Sequence, residues 1–260
     1  GPYYLPLWPD KQRSVNRTTG RRALDKALEL TPDHAMTHYW KGRDTLQAAR
    51  ADTRQAARER IAEVLGLDDA TNLREASYEQ ALPAFLPAVH RRMQAEWRRT
   101  IPGALGHLRR AARGIPSYPW SYNHGAEARL LLLDEPVGPA VELARLAMAR
   151  APRKPAVCAR SGVVLLRSVL REARSREELE RVIERRADAT AEMDLQAWLV
   201  SDGLEGAVSR SHRLGYGLQA VSRALAGNPE WAEDIYPVLR VFSNRPRSEE
   251  HTSELQSLLI

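Results

Sequence analysis

Ala23-Leu-Asp-Lys-Ala-Leu-Glu-Leu-Thr-Pro32, continued without a break by Asp33-His-Ala-Met-Thr-His-Tyr-Trp-Lys-Gly42, is the stretch whose reading decides the fold. Ala23 and Ala27 stand four residues apart, so small side chains share one helix face and a neighbouring helix can approach closely. Pro32 stops that helix, because proline lacks an N–H and disfavours helix in the residue before it. A second helix then begins and carries Gly42 at its eighth position, another point of close approach. A helix end, a proline turn and a helix start are thus written in twenty residues.

The same phrase recurs along the chain. Ala57, Ile61, Val64 and Leu65 repeat the helix end, with Asp69 standing 37 residues after Pro32 in the proline position. Ala104, Leu108 and Ala111 lead to Pro116, and Ala140, Ala144 and Ala147 lead to Pro152, 36 residues further on. Gly162 follows Pro152 by ten residues, as Gly42 follows Pro32. Val221, Ala224 and Leu225 lead to Pro229, and the 77 residues between Pro152 and Pro229 leave room for a worn copy around Leu179-Glu-Arg-Val-Ile-Glu-Arg-Arg186. Recurrence at this period marks a repeat architecture, in which each helix pair leaves an apolar face that only its neighbour covers.

On these residues the chain resembles the tetratricopeptide repeat family over roughly residues 20–240. The resemblance implies an all-α, right-handed superhelical solenoid of about six antiparallel helix pairs. It also implies a non-catalytic interaction scaffold. The 47 residues from Asp69 to Pro116 exceed the period, and Ala81-Leu-Pro-Ala-Phe-Leu-Pro-Ala-Val-His90 holds two prolines, so an irregular repeat is expected there. Asp202-Gly203, Gly206 and Gly215-Tyr-Gly217 weaken helix propensity in the last third. The last of these is expected to form a turn.

Composition agrees with helices. The chain has 260 residues, 43% hydrophobic and only 6% aromatic, a balance suited to helix more than to strands rich in β-branched and aromatic residues. Four lysines against 35 arginines is the ratio a GC-rich bacterial coding sequence produces, and it accounts for much of the net charge of +6. The basic residues alternate with acids, as in Arg171-Glu-Ala-Arg-Ser-Arg-Glu-Glu-Leu-Glu-Arg181, so a block that would bind nucleic acid is missing and a basic array on RNA is disfavoured. Cys158 is the sole cysteine, which excludes a disulfide framework and any cysteine-rich zinc site.

Residues 1–19 read as an extended N-terminal segment, with Tyr3, Tyr4, Leu7 and Trp8 to pack on the first repeat or on an upstream domain; they have no signal-peptide pattern. Residues 20–246 form the repeat region. Residues 247–260 stand apart, because Arg247 to Ser257 resembles one reading frame of a DNA-sequencing adapter and is excluded from the fold. The start at Gly1 and both irregular ends admit a second reading, an accessory region of a larger enzyme or membrane protein. The compartment, cytoplasmic or periplasmic, stays open.

Motifs for catalysis are wanting. His34 and His38 share a face, but Ala35 stands where the zinc-protease pattern needs Glu, so a surface and a packed histidine are expected. Gly215-Tyr-Gly217 lacks the preceding strand and third glycine of a dinucleotide fingerprint. Cys158 reads as a small buried residue, and Asp134-Glu135 as a polar turn. Neither cofactor nor metal is expected. In the resembled family the first helix of each pair lines a concave groove, and carried onto this chain that places Tyr39, Arg43 and Gln47, Tyr122 and Arg129, and Arg160 and Arg167 on it. Arginine forks and tyrosine rings suit an acidic or C-terminal peptide segment of a partner protein.

Overall fold

The structure, a computed structural model, describes residues 10–49, 87–132, 135–173, 176–189, 194–201 and 208–242, and every regular element among them is helical. In chain order these are α1 (Asp10–Leu30), α2 (35–49), α3 (Pro87–Gly114), α4 (Pro119–Leu131), α5 (Gly138–Arg150), α6 (Pro155–Glu172), α7 (Arg176–Ala189), α8 (Leu195–Val200), α9 (Arg210–Gly227) and α10 (Ala232–Phe242), with a 3-10 turn at Pro229–Trp231. Residues 10–19 are already helix, so the extended N-terminal segment expected over residues 1–19 is at most half as long. No proline follows Pro9 before Pro32, and Lys11, Gln12 and Arg13 all tolerate helix well. Residues 1–9 and 247–260, the expected copy around Ala57 to Asp69, and Asp134, Asp202, Gly203 and Gly206 lie outside the described residues.

Three antiparallel pairs form the described core. Along α2 and α3, Ala35 faces Gly114, Gly42 faces Ala104 and Leu108, and the Trp97 indole donates to the Ala49 carbonyl at 3.4 Å. Along α4 and α5, Gly125 faces Leu143 and Arg150 reaches back to the Pro116 carbonyl. Along α6 and α9, Pro155 meets Gly227, Gly162 meets Gly217, Ala220 and Val221, and Arg213 donates to the Ser168 hydroxyl at 3.2 Å. A β-carbon on Gly162 would stand 2.8 Å from Val221 Cγ2 and 3.0 Å from the Gly217 carbonyl oxygen, so the approach needs glycine on both helices. Gly215 and Gly217, read from sequence as a turn, therefore lie inside α9, and Gly217 is spent on proximity to Leu166.

The interval from Pro152 to Pro229 also reads differently in three dimensions. Leu179 to Arg186 is helical within α7, but α6 takes α9 as its partner, and α7 packs on α9. One helix pair with α7 and α8 inserted replaces two repeats. The inserted helices still contribute to the core: Leu195, Trp198 and Leu199 of α8 join Val141, Met148 and Leu165, while Leu179 and Val182 of α7 join Leu166 and Leu214. Each fully buried leucine such as Leu165 or Leu166 stabilises the fold by about 1.5–3 kcal/mol relative to exposure.

The proline turns share one hydrogen-bond pattern. His34, Tyr118, Lys154 and Trp231 each donate their backbone N–H to the residue three before, Thr31, Ile115, Ala151 and Asn228. Six residues after the proline, a side chain returns to the proline carbonyl: His38 Nε2 to Pro32 at 2.7 Å, Tyr122 Oη to Pro116 at 3.2 Å and Cys158 Sγ to Pro152 at 3.3 Å. Imidazole, phenol and thiol do one task, which is donating to the carbonyl of the turn proline. Proline again opens α4 and α6, at Pro119 and Pro155, where the missing N–H costs nothing.

Candidate functional site

Counting from each turn proline aligns the first helices of the three pairs. Seven residues on stand Tyr39, Asn123 and Ala159; eight on, Trp40, His124 and Arg160; eleven on, Arg43, Glu127 and Val163. In space these positions make a continuous row across α2, α4 and α6. Trp40, 43% exposed, lies under the Arg43 guanidinium at 5.0 Å, and its ring meets Tyr39 edge-on at 5.2 Å. Tyr39 packs edge-to-face on Tyr118 at 4.9 Å and against His124 at 5.9 Å. The Glu127 carboxylate accepts from His124 Nδ1 at 3.3 Å and from Arg160 at 3.1 Å.

The electrostatics of the row follow from burial. Burial and the neighbouring Tyr118 push the Tyr39 phenol well above its ordinary range, although Arg43 and Arg160 pull the other way. Tyr39 is therefore a neutral hydroxyl at any ordinary pH. Burial also lowers His124, against the pull of Glu127, which favours a neutral imidazole whose Nδ1–H serves the carboxylate. Arg160 has Glu127 as counter-ion. Arg43 Nε is buried and among the described residues meets no hydrogen-bond partner, while the guanidinium stands over the face of Trp40.

Of the residues expected in the groove, Tyr39, Arg43 and Arg160 belong to this row. Gln47 lies exposed on α2 one turn beyond Arg43, and Arg167 is half-buried on α6. Tyr122 and Arg129 have other work. Tyr122 is buried, with its hydroxyl on the turn carbonyl and the Arg150 guanidinium 4.0 Å over its ring. Arg129 pairs with Glu135 at 2.7 Å, across the bend that follows α4. Placing Tyr122 and Arg129 in the groove takes a register on α4 that differs from that on α2 and α6; the proline count puts Asn123 and Glu127 opposite Tyr39 and Arg43. That count was available in the sequence and identifies His124 and Glu127, which the sequence reading passed over.

Among the described residues no group of three or more His, Cys, Asp or Glu is placed to hold a metal ion, and no helix is long and apolar enough to cross a membrane. His34 is exposed and its ring contacts the Thr37 hydroxyl at 2.8 Å, while His38 is buried on the Pro32 carbonyl. Their side chains are committed to different local partners. No family model, curated protein or solved structure matches this chain.

Proposed function

We propose that the chain is a tetratricopeptide-like right-handed superhelix acting as a non-catalytic scaffold, which binds an acidic or C-terminal peptide segment of a partner protein in the concave groove lined by α2, α4 and α6. The observation that carries this is Arg43. Among the described residues the Arg43 guanidinium stands over half-exposed Trp40 with no carboxylate paired to it, so a ligand carboxylate reaching its terminal nitrogens would supply a charge-assisted partner. Trp40 and Tyr39 add rigid aromatic area, of the kind that dominates peptide interfaces. The recurring turns support the architecture, since the same bond from the sixth residue to the proline carbonyl recurs at Pro32, Pro116 and Pro152.

The pairing of Arg160 with Glu127 narrows the ligand. The acid neutralises the middle of the row, so an extended polyanion finds less attraction there than a peptide presenting a single carboxylate to Arg43. Titration calorimetry with peptides of acidic sequence, each with a free or an amidated C-terminus, measures this. Arg43→Ala should weaken the binding of the preferred peptide about tenfold with helicity unchanged. Equal affinity in wild type and variant would remove the groove from consideration.

A further inference from the structure

A second concavity lies at the turn that begins α6. It is a cleft of about 710 Å³ lined by Pro152, Arg153, Pro155, Cys158, Gln196 and Arg223, with Ala226 at its rim, a volume within the range of small-molecule sites. The repeat explains why it is open. In the pair formed by α4 and α5, the residue two before the closing proline is Arg150, which covers the Pro116 carbonyl and the Tyr122 ring. In the pair formed by α6 and α9 the corresponding residue is Gly227, seated against Pro155. Among the described residues the Pro152 carbonyl is served by the Cys158 thiol alone, and none fills the room that an arginine occupies in the neighbouring pair.

The walls carry one sign of charge. Arg153 comes from the turn and Arg223 from the last turns of α9; both are exposed, and among the described residues no carboxylate lines the cleft. Other arginines are neutralised within the fold: Arg145 by Glu142, Arg160 by Glu127, Arg210 by Glu178 and Arg213 by Glu172. Gln196, from α8, adds an amide to the same wall. Lys154, between the two lining residues Arg153 and Pro155, turns instead to the Trp120 ring at 5.2 Å. Two guanidinium forks and an amide around a pocket of this size are the recognition chemistry of an oxyanion.

We propose that this cleft binds a small molecule bearing an oxyanion, a phosphate or a carboxylate, through Arg153 and Arg223. The site is separate from the groove and does not depend on the groove's function. Calorimetry on the full chain with pyrophosphate in one arm and citrate in the other tests it. Either anion should bind, the tighter one identifying the group, and Arg153→Ala with Arg223→Ala should weaken that binding about tenfold or more. Both side chains are exposed, so circular dichroism should be unchanged.

Cys158, the chain's only cysteine, lies on the floor of this cleft and reports occupancy independently. The bound anion should slow its alkylation by iodoacetamide in wild type but not in the double variant. Arg43→Ala should bind the anion as wild type does, which separates this site from the groove. No binding in either arm, or binding that survives loss of both arginines as an adventitious ion only, would overturn the proposal.

Discussion

A buried histidine and its half-buried neighbour show how a single proton is constrained. His38 Nε2 bonds to the Pro32 carbonyl, which has no proton to give, so Nε2 carries the hydrogen and Nδ1 accepts. His107 Nδ1, 2.8 Å from His38 Nδ1, must then be the donor of that bond. Burial first, then His38, Arg110 and Lys41, hold His107 below its ordinary value, with Asp25 opposing; burial does the same to His124. A lowered folded-state pKa means that the unfolded chain takes up the proton first. Stability is therefore full above about pH 6.5 and falls as pH drops towards the folded values. For His124 the slope is at most about 1.4 kcal/mol per pH unit, while half-exposed His107 adds less because solvent screens it. Thermal denaturation should show a lower midpoint at pH 5.5 than at pH 7.5, and His124→Gln should flatten that dependence. A midpoint that rises on acidification would contradict the assignment of neutral imidazoles.

At the scale of elements, the chain's prolines and small residues made most of the helices legible. Pro116, Pro152 and Pro229 each follow a helix end as read, and Ala104, Ala140, Ala144 and Ala220 are fully buried between helices. Partner choice was harder to see, because periodicity locates a helix without saying which other helix covers it. Gly217 looked like a break when judged by propensity alone; it is a contact, since Leu166 fills the place of its side chain. The groove residues on α4 differ for a related reason: Tyr122 and Arg129 stand one residue before and two residues after the proline-count positions Asn123 and Glu127, and each residue of offset turns a side chain about 100° around the helix. The short helix α8 was not legible at all, as much of its anchorage comes from Arg145 of α5. Buried Arg145 donates to the Leu199 carbonyl at 3.1 Å and the Ser201 carbonyl at 2.8 Å while Glu142 neutralises it at 2.7 Å. Arg145→Met keeps the stem and removes those donors, at a cost of about 2 kcal/mol for hydrogen bonds of this charged kind. Hydrogen exchange over residues 195–200 should then accelerate about thirtyfold, with α4 little changed. Equal protection there would mean that packing of Trp198 on Tyr216, stacked at 4.5 Å, holds α8 without the arginine.

For the whole molecule, the question is whether these helices melt as one body or as neighbours. α3 packs on α4, and α4 in turn on α5 and α6, while α9 and α10 lie against α6. If the pairs stack as the proposed solenoid, stability is a sum of local terms between adjacent pairs. Gly162 offers a clean lever, because its β-carbon would collide with Val221 and the Gly217 carbonyl in the pair furthest from α2. Gly162→Ala gains up to about 1 kcal/mol of helix propensity and loses about 1–3 kcal/mol to overpacking. The backbone carbonyl cannot yield as a flexible side chain would, so the net effect is destabilising. Hydrogen exchange should accelerate over 155–172 and 210–227, to a smaller degree in α4 and α5, and least over residues 87–114. A uniform rise that includes α3 would show that opening is global, as in a domain with a single indivisible core. A graded response fading with distance from Gly162 is what linear stacking requires, and it would leave Trp40 and Arg43 at the far end unaffected by damage to the oxyanion cleft.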